Sequence, residues 1–457
     1  VIAVFKSNEI SVFCKRSARR AAYKNGFFWG IGNGLLGSML IQYFVYDLDV
    51  AHPGKIGYHL GAIIAWVIAA PRLAGLFRLL APLLIDFCRS RKWFCVGGYI
   101  LSSLIAGLIP ITVPMLMIRL NSVSLAIFLL VVIWCVYHLV EYLATAAFLS
   151  WMGDLVSQKI RGRFFAVRER WMLLGQILGA TSAAVIMEYE RSFDKLFFQH
   201  WPKQSTWQLY LIPAIMGSVF LLSSAFFLAK IPEIAWKRTA FDWKKRIQQA
   251  FAPFSHGRFM LFVAFGCWIQ MANGLTQTTQ SEYNWLLFPT QFFMVLIFMN
   301  VTRLGQLILS PTIGRLMDRL GNIPVMVVSM IIVSTGSLFY FFATLNMAFL
   351  IAGAWIVWIF WVGVNIGQAA LALSLAPKEQ KTSFVAFYYA VTTAALALAT
   401  LAGGMIADHC RTTGFFIPLL GWNYTRFSFV LSWFLRLVSV VFLLLVVRPV
   451  RIRSEHD

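Results

Sequence analysis

Glu141 is an acid in the middle of residues 124–150, a stretch that holds no other Asp or Glu and no Lys or Arg. It lies about ten residues, or roughly 15 Å of helix, before Trp151. An ionisable side chain in so apolar a setting either balances a buried opposite charge or carries a proton. Arg72 and Arg78 fall in a second apolar stretch that ends at Asp86. Counted back from Asp86 they lie roughly 21 and 12 Å deep, bracketing Glu141, so an ion pair with one of them is expected. A stably paired carboxylate stays ionised, which opposes proton carrying unless the pair breaks. Arg303 has no acid of comparable depth in its half of the chain, and an anionic solute would supply one.

Uncharged polar groups add to this set. Gln270, Asn273 and Gln277 recur at i, i+3 and i+7 and so share a helical face. Trp358, Trp361, Asn365 and Gln368 form a similar stripe, while Tyr137, His138 and Thr145 accompany Glu141, and Asn33 stands in the first apolar stretch. Such side chains either bind a ligand or join helices to one another. Gly32, Gly34 and Gly37 match the dinucleotide pattern G-x-G-x-x-G, but that chemistry needs a strand before it, and here the pattern lies inside an apolar run. Gly30 and Gly34, four apart, are better suited to letting another helix approach closely. No P-loop, H-E-x-x-H or G-x-S-x-G is present, so neither a nucleotide-driven pump nor a hydrolase is supported, and no cofactor is expected.

The elements that position these residues follow from composition: 60% of the chain is apolar and only 12% charged. That is far from soluble usage, and runs of twenty or more residues are apolar all round. Without water in the hydrocarbon, backbone groups must pair within each segment, which makes the runs helices and not strands. Twelve spans are expected, near 27–46, 57–85, 94–114, 124–150, 164–187, 209–229, 259–278, 289–315, 323–345, 347–374, 384–406 and 427–447. Pro71, Pro82 and Pro311 predict kinks. Of the 39 Lys and Arg, 28 fall on the side of the two termini and 7 on the other. The positive-inside bias then makes both termini cytoplasmic. The net charge of +21 follows alternate loops without aromatic interleaving, so it reflects membrane topology and not nucleic-acid binding. Only Cys410 falls in an outer loop, which excludes an outer disulfide framework, and the first fourteen residues, with Lys6 and Glu9, do not read as a signal peptide.

The chain also repeats. Arg72-Leu-Ala-Gly-Leu leading to Asp86, Arg89, Arg91 and Lys92 matches Arg303-Leu-Gly-Gln-Leu leading to Asp318 and Arg319, with the aspartates 232 positions apart. Phe164-Phe-Ala166 matches Phe384-Val-Ala386 at an offset of 220. Two six-helix halves in the same orientation, 27–229 and 259–447, are expected, joined by a basic cytoplasmic linker, 230–258, with a cytoplasmic segment at 1–26 and a tail at 448–457.

The sequence Gly314-Arg-Leu-Met-Asp318-Arg319-Leu-Gly321-Asn resembles the signature loop of the major facilitator superfamily. Asp86, Arg89, Arg91 and Lys92 are its first-half counterpart, without the glycines, and 151–163 and 376–382 resemble two further loops of bacterial members. The resemblance implies an all-α membrane protein of twelve helices in two parallel-repeat bundles. It also implies a gate at the cytoplasmic face built on Asp86, Arg91, Gly314, Asp318 and Arg319, with glycines permitting the tight turn. In this family spans 1, 4, 7 and 10 line a central cavity, with 2, 5, 8 and 11 beside them. That nominates Asn33, Arg72, His138, Glu141, Gln270, Asn273, Gln277, Arg303, Trp361, Asn365 and Gln368 for solute binding or coupling. Arg436, on a span the family places at the periphery, is expected to be structural. The implied function is secondary transport of a small organic solute, with H⁺ as a candidate coupling ion, by a monomer in a bacterial inner membrane. The alternative is a membrane receptor or assembly scaffold that retains the fold without transport.

Overall fold

The computed structural model describes residues 12–51, 60–77, 84, 90–120, 122–156, 158–192, 208–233, 252–288, 292–377 and 381–447. Apart from one short hairpin they are almost entirely helical: α1 Val12–Leu35, α2 Ser38–Ala51, α3 Leu60–Leu76, α4 Arg91–Leu120, α5 Val123–Leu155, α6 Gln158–Ser192 and α7 Gln208–Ala229. There follow α8 Gly257–Leu287, α9 Phe292–Leu320, α10 Asn322–Phe342, α11 Leu350–Val357, α12 Trp361–Leu375, α13 Lys381–Thr412 and α14 Tyr424–Val447. Ten of the described helical segments are long and apolar enough to cross a membrane, and α3 is a shorter apolar helix. Each expected span overlaps one of these elements or an adjacent pair, the second through Leu60–Leu76, with Pro82 and most of the rest of that span outside the described residues. The first is α1 followed by α2, with a break at Leu36 and Gly37, and α1 begins at Val12, well before the expected start of that span. The tenth is α11 and α12 joined by a 3₁₀ turn at Trp358–Phe360.

At two prolines within helices a side chain satisfies the carbonyl that the missing N–H leaves free. Pro71 removes the donor that would have reached the carbonyl of Val67, and the Trp134 indole of α5 donates to that oxygen at 3.1 Å. Pro311 likewise frees the carbonyl of Leu307, which accepts from the Ser310 hydroxyl at 3.1 Å. The 3₁₀ turn is treated the same way. Thr302 of α9 donates to the Trp355 carbonyl at 2.6 Å and Gln306 donates to that of Trp358 at 3.2 Å. The sequence Trp358-Ile-Phe360 contains neither Gly nor Pro, and the break was therefore not visible before the partners on α9 were.

The described helices cluster into two units, one of Val1–Ala240 with Asn284–Asn300 and the other of Phe241–Tyr283 with Val301–Asp457. The end of α8 and the start of α9 group with the first unit because their side chains bond there. Trp285 donates to Asp47 at 3.5 Å and stacks on Tyr46, and Asn300 donates to Thr181 at 3.1 Å. The first unit packs α1 against α6 and α7, and α4 against α5 and α7, around Phe148, Trp151, Phe164 and Leu228. The second packs α10 against α11, α12 and α14, with Phe262, Met326, Phe384 and Tyr388 at its centre.

In the first unit α1 and α6 cross in backbone contact. A Cβ on Gly30 or Gly34 would stand 2.2 Å from the Met172 carbonyl oxygen or 2.4 Å from that of Gln176. Gly175 and Gly179 face them on α6. The second unit repeats the device between α8 and α13, where a Cβ on Gly274 would meet the Leu396 oxygen at 2.7 Å and one on Gly403 the Leu275 oxygen at 2.2 Å. The close approach expected at Gly30 and Gly34 is thus present, and its counterpart occupies the matching place in the other half. A two-stranded antiparallel hairpin, Phe416–Ile417 with Trp422–Asn423, closes the connection between α13 and α14.

Candidate functional site

In the first unit α5 carries Glu141 at 3% exposure. Its carboxylate accepts from the Thr145 hydroxyl at 3.0 Å, one turn along the same helix, and lies 3.9 Å from Nδ1 of His138, one turn back. Among the described residues these are the groups around the carboxylate, so the expected ion pair with Arg72 is not formed. Arg72 instead donates to the Ile68 carbonyl of its own helix at 3.4 Å. Arg78 lies outside the described residues. Depth counted along each helix says nothing of which way the helix is turned about its axis.

His138 is buried, its ring enclosed by Trp134, Tyr137 and Tyr142 at centroid distances of 4.3, 4.6 and 5.4 Å, and neither ring nitrogen has a hydrogen-bond partner. Glu141 and His138 thus lie side by side, one turn apart, in an enclosed and aromatic-walled part of α5. Polar contacts continue outward from it. Thr145 reaches Tyr99 of α4 at 3.1 Å, and Tyr137 bonds the Asn33 side chain, whose Oδ1 accepts from Gln176 of α6 at 3.3 Å. Four helices thereby contribute to a chain that includes the predicted residues Asn33, His138 and Glu141.

Sequence reasoning missed Arg168. It was counted among the basic residues of a loop, yet it lies within α6, only 7% exposed, with its guanidinium 4.3 Å over the Phe148 ring and Nη2 donating to Asn25 at 3.2 Å. Asn25 in turn donates to the Ser224 carbonyl at 3.1 Å, so α1, α6 and α7 meet at this cation. The signal that could have found it is the continuation of helical pattern upstream of the apolar run.

In the second unit Arg436 of α14 is 4% exposed and donates through Nε to Asn273 of α8 at 3.0 Å and through Nη1 to Ser337 of α10 at 2.8 Å. Its guanidinium stands 5.9 Å from the Trp358 ring, which stacks on Tyr340. Ser432 extends the network, within hydrogen bonds of Ser337 and Thr276. Asn273 was expected to be a ligand for solute, and its oxygen accepts from Arg436; Arg436, expected to be structural, clamps three helices. Gln270 and Gln277 are half-buried on α8 beside it.

The tryptophan and amide stripe of the tenth span divides. Trp358, within the 3₁₀ turn, is buried against Arg436, Trp361 packs on Ile269, Met330 and Val364, Gln368 is buried, and Asn365 is exposed. The turn alters the residue spacing that a continuous helix would have, so the four do not share one environment. Arg303 of α9 is half-buried, with no hydrogen bond or ion pair among the described residues.

At the end of α9, Asp318 and Arg319 are exposed, and no partner of the Asp318 carboxylate occurs among the described residues. Gly321 makes the turn into α10 at φ +86°, a conformation that suits glycine. Gly314 has no such duty: it lies inside α9 with open space where a Cβ would point. Arg91 is buried at the start of α4, just after Ser90, whose hydroxyl caps the Trp93 amide at 3.1 Å and donates to Glu233. Asp86 lies outside the described residues. Among the described residues no cluster of His, Cys, Asp and Glu could hold a metal ion.

This helix order, with matching glycine crossings in the two halves, is the fold of the major facilitator superfamily of membrane transporters. Structures with that fold align along nearly the whole chain. The nucleoside transporter NupG matches at 16% identity, covering 95% of this chain and 99% of its own, with a TM-score of 0.63. The D-xylose–proton symporter matches at 13%, covering 94% and 97%, with a TM-score of 0.65. The POT family transporter PepTSo matches at 12%, covering 96% and 98%, with a TM-score of 0.68. No protein-family model and no curated protein matches the sequence.

Proposed function

We propose that this chain is a secondary transporter that moves a small organic solute by alternating access, with Glu141 and His138 as its proton-carrying pair. The observation that carries the reading is the enclosed carboxyl–imidazole pair in the middle of a membrane helix, within a fold shared with a proton symporter. Intramembrane acids of this kind are costly to retain, which supports a functional role for Glu141. The basic residues concentrated on one side support cytoplasmic termini and a place in a bacterial inner membrane. The matching glycine crossings, one within each half, support halves of 27–229 and 259–447 built on the same plan. Asn33, Gln270, Gln277 and Gln368 supply the uncharged polar groups of the pathway, and the chain works as a monomer.

Reconstitution in proteoliposomes tests this. The wild type should accumulate a solute from a metabolite panel when a pH gradient is imposed. Glu141→Gln keeps the acceptor for Thr145, so the variant should stay folded, lose pH-driven accumulation and retain solute exchange, because exchange need not move the proton. A wild type that neither accumulates nor exchanges any solute would favour the receptor reading. A Glu141→Gln variant that accumulates solute normally would remove the pair from coupling.

Asp318 and Arg319 form the cytoplasmic gate in this reading, the aspartate accepting a contact when that gate closes. Asp318→Asn should lower transport severalfold without loss of folded protein, since an exposed acid contributes little to stability. Unchanged flux in a well-expressed variant would make Asp318 an ordinary solvated acid.

A further inference from the structure

Two arginines stand in the apolar interior of the second unit. Its described acids lie elsewhere: Glu282 and Asp408 both engage Arg411, and Asp318 is exposed in the last turn of α9. Arg436 is sealed from solvent and satisfied by the neutral acceptors Asn273 and Ser337. Arg303 is different. It is half-buried, with no acceptor among the described residues, while its neighbours on the helix, Thr302 and Gln306, are committed to carbonyls of the tenth span. Its position is about 17 residues, roughly 25 Å of helix, from Leu320, too deep to reach a lipid headgroup at that end. A guanidinium retained at such depth either contacts water or awaits an anion, and its planar fork matches a carboxylate or phosphate.

We propose that Arg303 is the recognition residue for an anionic group on the solute, and that the ligand of this protein is a small organic anion bearing a carboxylate or phosphate. The inference deepens the transporter reading and shares its site, but binding can be measured without transport.

The probes are succinate, 2-oxoglutarate, gluconate, glucose 6-phosphate and inorganic phosphate, against glucose, uridine and spermidine as uncharged and cationic controls. Thermal unfolding of the detergent-purified protein and counterflow in proteoliposomes are measured with each. At least one anion should raise the unfolding temperature of the wild type while the controls do not. Arg303→Gln should weaken that anion by about 10- to 100-fold, the loss of a charge-assisted contact, and Arg303→Lys should restore part of it. Without ligand, Arg303→Gln should be as stable as the wild type, because the side chain holds nothing in place. The carboxylate and phosphate arms separate the two oxyanion chemistries. Stabilisation by an anion with no flux would uphold the anion site while defeating the transporter reading. Flux of glucose, uridine or spermidine with no response to anions would do the reverse. An anion bound equally well by Arg303→Gln, no response to any probe, or a ligand-free Arg303→Gln that unfolds early would each overturn the assignment to Arg303.

Discussion

Gly175→Leu should leave little folded protein. A Cβ at Gly175 would stand 2.2 Å from the carbonyl oxygen of Phe27, 2.9 Å from the amide nitrogen of Ile31 and 3.1 Å from the Cα of Gly30. All three are backbone atoms of a regular helix, so none can swing aside as a side chain would, and relief requires α1 and α6 to separate. Separation would also break the contacts at Gly34 and Gly179 and the bond between Gln176 and Asn33. Overpacking of an ordinary core costs about 1–3 kcal/mol, and a backbone-to-backbone crossing lies at or beyond the upper end of that range. Gly97 is the control: it lies in α4 with nothing within 4 Å of its Cβ position, so Gly97→Leu should unfold within a degree or two of the wild type. Size-exclusion profiles and thermal unfolding of the two variants, prepared side by side, decide the matter. A Gly175→Leu protein as monodisperse and stable as Gly97→Leu would mean that the crossing is looser than described.

Arg436→Ala should have the next largest effect, a loss of about 3–5 kcal/mol. Hydrogen bonds to a charged group are each worth about 1.5–3 kcal/mol, and truncation removes those to Asn273 and Ser337 together with the packing against Trp358. Two further substitutions separate the contributions. Arg436→Met removes the charge as alanine does but fills much of the volume that alanine leaves empty, so it should cost less than alanine. Arg436→Lys retains the charge but lacks the planar fork that reaches α8 and α10 together, and it should rescue only part of the loss. Chemical denaturation in mild detergent, read at a tryptophan signal, gives the order. Equal stability of all three variants and the wild type would return Arg436 to a peripheral role.

Much of the architecture was legible in the residues themselves. A run of twenty apolar residues without water has one way to satisfy its backbone, so the spans were readable as helices, though several helices run well beyond the apolar run, as α1 does from Val12. The pair Gly30 and Gly34 announced a close crossing because two missing side chains four apart clear one strip of a helix. The half-chain offset between Asp86 and Asp318 marked the repeat. The turn at Gly321 was readable too, whereas Gly314, in the same motif, proved to be a helix residue with open space beside it.

What tertiary structure decided was partnership. Position along a helix axis follows from counting residues at about 1.5 Å each. Rotation about the axis and the identity of the facing helix are set by packing between segments far apart in the chain. Glu141 therefore has His138 and Thr145 beside it and not Arg72, and the partner of Gly30 is Gly175, some 145 residues away. Arg436, on a span expected at the periphery, became a clamp because α8 and α10 present acceptors to it. At the break around Trp358, Thr302 and Gln306 of another helix donate to the carbonyls of Trp355 and Trp358. Each of these outcomes depends on long-range contacts, and composition and spacing carry no record of them.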